Sequence, residues 1–480
     1  MIKSFVGVVC QGNMGRNLAK HIEQRGYKVT LHGILPGSTA KFANDYKGEM
    51  TEFADNFEIL VTSIMKPRIV FVLLENATLV EKVIIDLVKY LESGDTIIDG
   101  SDTYFLDTAK RVKELEKSNI FYLGVGVSAS ESSILDGPAL MPGGSYIVYD
   151  RVKAFLNDIA AQDNGYSCSA YIGPDGSGHF VKMVHNGIEY GVLQLFSEAV
   201  GIFKRLTDVS NDEIHEILSE WNTSELDSYL LEVICDIVSR TDADSGKSII
   251  DVALDRVAYR GTGVWACKSS LDLSVPAPIL VESIILRHMS NMKNERVQAS
   301  KLFPDPEIKK VSSIELKSFV EQVRRAVCVG IICTYAQGFA IIKRASSYYK
   351  WNLDFEGIAN NFQSNCIIRA RYLHMVAQAF NKSPDLENII FDPYFKGILE
   401  SYLLDLRNVV SFSVLNGIPI AALTSTISYI DNYRCDSLPT GLIQLVRDYM
   451  GINGYERNDK PGEFKTNWNE PGMEITSVKI

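Results

Sequence analysis

The stretch Lys182-Met183-Val184-His185-Asn186-Gly187-Ile188-Glu189-Tyr190 holds the spacing in this chain that is best suited to chemistry. On a helix, positions 182, 185, 186 and 189 fall at i, i+3, i+4 and i+7 and share one face. That face carries a lysine, a histidine, an amide and a carboxylate, while Val181, Met183, Val184 and Ile188 are apolar. A buried lysine can shed its proton and act as a base, and a buried glutamate can keep one and act as an acid. The same spacing also describes a solvated helix face with a charge pair two turns apart.

A second pattern lies at the start of the chain. Val6–Val9 runs into Cys10-Gln11-Gly12-Asn13-Met14-Gly15. A strand, a glycine-bearing turn and a helix start make a cradle for phosphate, through backbone N–H groups and the positive end of the helix dipole. Gly12 and Gly15 fit the dinucleotide pattern G-x-G-x-x-G, and Cys10 stands at its first position. Cys10, Gly12, Asn13, Met14 and Gly15 are the candidate cofactor contacts here. The next predicted strand ends His32-Gly33-Ile34-Leu35. It carries neither the acid that would bind a ribose hydroxyl nor the arginine that would bind a 2′-phosphate, so the turn does not choose between NAD and NADP.

These residues need a frame. Apolar, β-rich runs at Lys3–Val9, Tyr27–His32, Ile59–Ile64, Ile69–Leu74, Thr96–Asp99 and Ile120–Gly126 are predicted strands, with another at Tyr146–Tyr149. Helical patterns at Gly12–Arg25, Leu79–Leu91 and Tyr104–Ser118 lie between them, and Met141-Pro142-Gly143-Gly144 reads as a turn. Alternation of this kind predicts a parallel sheet covered on both faces. After Gly173-Pro174-Asp175-Gly176-Ser177-Gly178 the pattern becomes almost wholly helical, and the final 40 or so residues lose their periodicity. The expected fold is therefore an α/β Rossmann-like domain over 1–177, a large all-α domain over 178–434 and a C-terminal tail over 435–480.

Composition narrows the function. A net charge of −11 argues against a broad nucleic-acid-binding face. No apolar run is expected to reach the roughly 18 residues of a membrane helix. The eight cysteines form no C-x-x-C pair, and the histidines show no metal-ligand spacing, so reduced thiols and a cytoplasmic protein without a metal site are expected.

The helix motif Lys182–Tyr190 closely resembles the signature of the decarboxylating 6-phosphogluconate dehydrogenases. The resemblance extends along the chain through Ile97-Ile98-Asp99-Gly100, Gly137–Gly144, Trp221-Asn222, Gly261-Thr262-Gly263-Val264-Trp265, Glu295–Ser300, Tyr335–Phe339 and Arg447-Asp448-Tyr449. It implies oxidation of 6-phosphogluconate at C3 with NADP, loss of CO2 and release of ribulose 5-phosphate in the pentose phosphate pathway, by a homodimer whose tail reaches into the partner subunit. On this resemblance Lys182 is the base and Glu189 the acid. His185, Asn186, Ser128, Ala129, Ser130 and Asp102 meet the substrate. Tyr190, Arg260, Thr262, Arg287 and Arg447 hold its phosphate. Glu75 and Asp102 lie beside the cofactor. No metal is implied, because a β-keto acid supplies its own electron sink.

The departures from the family crowd onto the first domain. Cys10 replaces a glycine, and Gly33-Ile34-Leu35 replaces the Asn-Arg-Thr that clamps the 2′-phosphate. Glu75 reverses a charge, Asp102 replaces an asparagine, and Ser128-Ala129-Ser130 replaces Ser-Gly-Gly. Asn453 stands where a histidine accompanies the C-terminal arginine. They suggest weak or relaxed NADP preference. They also leave room for a second reading, a cofactor-impaired paralogue that binds a sugar phosphate or a partner subunit without turnover. A third, a non-decarboxylating 3-hydroxyacid dehydrogenase, would leave the phosphate-binding cations unpaired.

Overall fold

A computed structural model of the chain describes residues 3–468 and 473–476, apart from 47, 76, 164, 259, 260 and 364. Its N-terminal half is built on β1 (Ser4–Cys10), β2 (Val29–Gly33), β3 (Thr51–Phe53), β4 (Ile64–Leu73), β5 (Thr96–Asp99), β6 (Phe121–Ser128) and β7 (Ala139–Gly144). Among the described residues they form one sheet in the order β3-β2-β1-β4-β5-β6-β7. All neighbours run parallel except β6 and β7. Side chains alternate across the sheet. Val6, Val8 and Cys10 join one buried cluster with Leu18 and Ile22, and Val9 joins a second with Val70, Val72 and Leu87 on the other face. The strand order reverses at β1, which pairs with β2 on one side and β4 on the other. In such sheets the crevice beyond the strand ends at the reversal is where ligands bind.

The covering helices are α1 (Asn13–Gln24), α2 (Ser38–Asp45), α3 (Phe57–Ser63), α4 (Ala77–Val88), α5 (Phe105–Glu116) and α6 (Tyr146–Ile159). Three expectations are corrected here. Ile59–Ile64 is mostly helix α3, opened by Asn56, whose side chain accepts from the Ile59 N–H. A short apolar run does not distinguish a buried strand from a buried helical turn. Tyr146–Tyr149 opens α6, with Val148, Tyr149 and Val152 on its buried face. Met141–Gly144 is not a turn but part of β7, where Pro142 is compatible with an edge strand.

The helical half contains α7 (Ser177–Leu206), α8 (Asn211–Trp221), α9 (Tyr229–Ser239), α10 (Ile249–Val252), α11 (Thr262–Asp272), α12 (Pro278–Asn291) and α13 (Lys293–Leu302). It continues with α14 (Leu316–Tyr349), α15 (Phe355–Asn361), α16 (Arg371–Lys382), α17 (Pro393–Leu415) and α18 (Ala421–Tyr433). Against expectation, α14 has a stretch long and apolar enough to cross a membrane. That stretch is 89% buried inside the fold. Val323, Val327, Ile331 and Tyr335 lie within the protein, as in the central helix of a large core.

The chain divides into two compact units, Met1–Thr426 and Ile427–Ile480. Within the second, α19 (Gly441–Tyr449) accompanies three short antiparallel strands, Tyr455–Glu456, Glu463–Asn467 and Met473–Thr476. Asp448 accepts from the Thr466 N–H and from Trp468 Nε1, both at 3.0 Å, tying this helix to the small sheet. The segment expected to lack periodic structure is therefore locally folded.

Candidate active site

Helix α7 crosses the sheet at a place almost without side chains. A Cβ on Gly178 would be driven into the Met141 carbonyl oxygen and would lie 2.5 Å from that of Gly124. A Cβ on Gly126 would lie 2.5 Å from the Lys182 Cβ, and one on Gly143 would meet the Gly178 backbone. Glycines on both partners thus let the first turns of α7 lie directly on β6 and β7. His179 fastens the same turn, with Nε2 3.0 Å from the Asp99 carbonyl oxygen and Nδ1 2.7 Å from Thr108 Oγ1. One turn later Lys182 faces the strand ends.

There a cleft of about 310 Å³ opens. One wall is the turn Gly12, Met14 and Gly15, with Leu73, Leu74 and Glu75 beyond β4. Gly100 and Asp102 follow β5, and Val127 and Ala129 close β6. The opposite wall is Lys182, Asn186, Glu189, Tyr190, Thr262 and Ile367. The turn after β5 is braced by Asp99, which accepts from the Ser101 N–H at 3.0 Å, Thr103 Oγ1 at 2.8 Å and the Tyr122 hydroxyl at 2.6 Å. Ser101 Oγ in turn accepts from the Leu74 N–H at 3.0 Å, joining the two strand ends.

The polar face of α7 forms a directional chain. Thr262 Oγ1 is paired with the Tyr190 hydroxyl and accepts from Asn186 Nδ2 at 3.0 Å. This turns the Asn186 carbonyl toward Lys182, whose Nζ donates to Asn186 Oδ1 at 2.7 Å. His185 Nδ1 lies 3.1 Å from the same oxygen. Burial and the Lys182 charge push the His185 pKa well below its ordinary value, so its imidazole is neutral. Burial raises the Glu189 carboxyl above the usual carboxylate range, opposed by Lys182 and Arg287 and reinforced by Asp102. The Arg287 guanidinium lies 3.7 Å over the Tyr190 ring.

The two helix-face residues separated by two turns thus line one cleft with the glycine turn and Asp102. Cys10 does not reach it. The Cys10 side chain is fully buried against Gly15, and burial pushes its thiol up to about 12, so only its backbone is near the cleft. Ser128 and His185 are fully buried behind the lining rather than in it. Ser130 bonds Ser133, and Asn13 reaches Glu131 at 3.4 Å. Arg260 lies outside the described residues. Arg447 is in the second compact unit, on α19. Ile367, and Cys366 behind it, were not singled out from the sequence. Cys366 stands 181 positions from His185 and has no local pattern to mark it.

Comparison with known proteins agrees with this arrangement. The model of the 6-phosphogluconate dehydrogenase C-terminal domain matches residues 178–468, and that of the NAD binding domain of 6-phosphogluconate dehydrogenase matches residues 5–173. The chain belongs to the 6-phosphogluconate dehydrogenase family. Among its relatives, the NADP(+)-dependent, decarboxylating 6-phosphogluconate dehydrogenase of Bacillus subtilis is 44% identical, over 98% of this chain and 100% of the relative. The decarboxylating enzyme of Escherichia coli is 40% identical over the same shares. The solved 6-phosphogluconate dehydrogenase of Plasmodium falciparum superposes with a TM-score of 0.92 at 32% identity, covering 97% of this chain and all of that one. The family's two parts thus meet at the cleft: the first supplies the glycine turn, the second supplies Lys182 and Glu189.

Proposed function

We infer that this chain is an NADP-dependent, decarboxylating 6-phosphogluconate dehydrogenase of the pentose phosphate pathway. The observation that carries the reading is Lys182 and Glu189, two turns apart on one face of α7, lining one cleft opposite the dinucleotide turn.

The residues present fit NADP. Gly12 and Gly15 bring the start of α1 to the cleft without side chains of their own, and the N–H groups there would hold a pyrophosphate once the Glu75 carboxylate, which lies against Gly12, moves aside. When bound, NADP accepts the hydride from substrate C3. Lys182, held by Asn186, first gives up its resting proton and then, as the neutral amine, takes the C3 hydroxyl proton as that hydride leaves. As an ammonium it then stabilises the ketone oxygen while the C1–C2 bond breaks and its electrons pass into the enediol. CO2 carries away C1. Glu189 returns a proton to the former C2, which becomes C1 of ribulose 5-phosphate. Its raised pKa keeps a proton available for this step.

Among the described lining residues, Lys182 is the single cation facing Glu75, Asp102 and Glu189. A phosphorylated acid therefore needs more positive charge than the cleft wall supplies. Arg287, Arg260 and Arg447 are assigned to its phosphate, with Tyr190 and Thr262 donating hydrogen bonds. Arg447 is assigned to the partner subunit's site in a homodimer, with the domain division expected from the sequence. Two observations support the dimer. Leu302, Phe303 and Ile314 are 73%, 77% and 93% exposed, and α19 leaves Leu442, Ile443 and Tyr449 exposed. A cytoplasmic location belongs to the same reading, since substrate and cofactor are intracellular metabolites.

The test is stoichiometry. With 6-phosphogluconate labelled at C1, one labelled CO2 should appear per NADPH formed, and light scattering should return the mass of two chains. NADPH without CO2 would favour a non-decarboxylating hydroxyacid dehydrogenase. A monomer with full activity would remove the shared-site assignment.

A further inference from the structure

Behind the cleft wall lies a buried cluster that the mechanism above does not use. Cys366 Sγ is 2.9 Å from His185 Nε2 and 3.3 Å from Ser128 Oγ. His185 Nε2 is itself 3.1 Å from Ser128 Oγ, and the Ile367 N–H donates to that oxygen at 3.3 Å. Cys366 is 2% exposed, and His185 and Ser128 are fully buried. Asn365 Nδ2 bonds the Ser133 carbonyl at 2.8 Å and also the Gly137 carbonyl, fixing the loop that carries the cysteine.

The hydrogen positions follow from donor and acceptor counting. A neutral imidazole has one N–H and one lone pair. Nδ1 lies 3.1 Å from Asn186 Oδ1, an acceptor whose orientation is set by the Asn186–Thr262 bond, and 3.5 Å from Lys182 Nζ, which already donates to that oxygen at 2.7 Å; the shorter contact, to the acceptor, gives Nδ1 the hydrogen. Nε2 then needs a donor, and of the two groups within reach the Cys366 thiol at 2.9 Å is nearer than the Ser128 hydroxyl at 3.1 Å, while the thiol is farther, 3.3 Å, from Ser128 Oγ. Burial raises the Cys366 thiol to about 11, so near neutral pH it keeps its S–H. That thiol is also a poor nucleophile, which fits a structural role better than a reactive one.

We propose that Cys366 is a positioning residue for the reaction: its thiol donates to His185 Nε2 and holds the Nδ1–H tautomer, which fixes the Asn186 oxygen that aims the Lys182 amine. In the opposite tautomer, two lone pairs would face each other across the 3.1 Å gap between Nδ1 and Asn186 Oδ1. The amide would turn away, and Lys182 would lose its 2.7 Å partner. The proposal rests on Lys182 being the base.

The experiment compares the full-length enzyme with Cys366→Ala and Cys366→Ser. Two readouts are taken: steady-state kinetics, and ¹⁵N spectra of histidine-labelled resting enzyme, with His185 identified by the signal lost in His185→Gln. In the native protein His185 should be protonated at Nδ1. Cys366→Ala should convert part or all of that signal to the Nε2–H form. It should lower kcat roughly 5–10-fold, the scale of one buried hydrogen bond, with KM changed less than about twofold. Cys366→Ser, which keeps a donor, should restore both tautomer and most of kcat. The proposal is overturned if native His185 is protonated at Nε2, or if Cys366→Ala leaves the tautomer or kcat unchanged. It is also overturned if Cys366→Ser is as impaired as Cys366→Ala. The imidazole spectrum is read without turnover, so failure of the base assignment would appear separately, as a Lys182→Met enzyme that retains its kcat.

Discussion

Glu189 is asked to hold a proton that an ordinary carboxyl would have lost near neutral pH. Its half-buried position beside Asp102 raises its pKa, and Lys182 and Arg287 restrain the rise. The protonated form is the working one, so the contribution of Glu189 to kcat should fall as pH rises through that elevated pKa. Glu189→Gln should lower kcat by about 10²–10⁴-fold, the usual worth of a general acid, with a much smaller effect on KM. It should also flatten the alkaline limb of the kcat profile. A variant that keeps its kcat and its alkaline limb would move the acid role elsewhere. The residues on this face were legible in the sequence because a helical face is a local property with a fixed period. The hidden partners were not. Cys366 and Asp99 act through contacts made by strand order and loop closure, and no spacing near them reports it.

At the scale of elements, the site depends on how closely α7 lies on β6 and β7. Gly178→Ala would push a methyl group into backbone carbonyls that cannot turn aside. Overpacking of this kind costs about 1–3 kcal/mol, and opposition by backbone places this case at the upper end. Denaturant unfolding should show that loss, together with a fall in kcat as Lys182 is displaced. Gly26→Ala, where a Cβ meets nothing but the positive φ adds strain, is a comparison in which activity should survive. A second element contact is titratable. Glu198 on α7 accepts the first N–H groups of α18, from Ala422 at 2.8 Å and Leu423 at 2.9 Å, and burial raises its carboxyl to about 7. A carboxyl pKa raised by folding favours the folded state below the ordinary value near 4.5. The advantage fades as pH rises through about 7. Thermal unfolding from pH 5 to 8 should therefore cost the native protein up to about 3 kcal/mol more than Glu198→Gln. Parallel curves would contradict it.

The alternation of strands and helices was readable because β-rich and helical runs differ in period and length. The failures have a common cause. Ile59–Ile64 and Tyr146–Tyr149 are apolar stretches too short to show a period, and their conformation is set by what packs over them. At Met141–Gly144 the Pro-Gly signal favours a turn, but an antiparallel edge strand tolerates it. In α14 the interior of a large helical half reproduces the composition of a membrane span, so only its burial tells the two apart.

For the whole molecule, most departures from the family pattern lie on the dinucleotide half, with Asn453 in the tail, while the catalytic face of α7 is intact. The loop after β2 closes on itself. Ser38 Oγ donates to the Leu35 carbonyl at 2.6 Å and Thr39 Oγ1 accepts from the Gly33 N–H at 3.1 Å, so both hydroxyls are engaged within the turn. Ile34, partly buried against the core, stands where the family's clamp arginine would meet the 2′-phosphate. NADP should therefore be preferred over NAD only modestly. Ile34→Arg should raise that preference, by kcat/KM, roughly tenfold, as expected for a new charge-assisted contact. The central claim is that a proton-transfer pair on one helix meets a working dinucleotide site on one sheet. Its most direct test is the initial rate of NADPH formation from 6-phosphogluconate, measured by absorbance for the native enzyme and Lys182→Met. Steady NADPH production that falls at least about 10²-fold in Lys182→Met, with substrate still bound, is the predicted result. A folded native protein that binds 6-phosphogluconate but reduces no nicotinamide nucleotide, or a Lys182→Met variant with unchanged kcat, would contradict it.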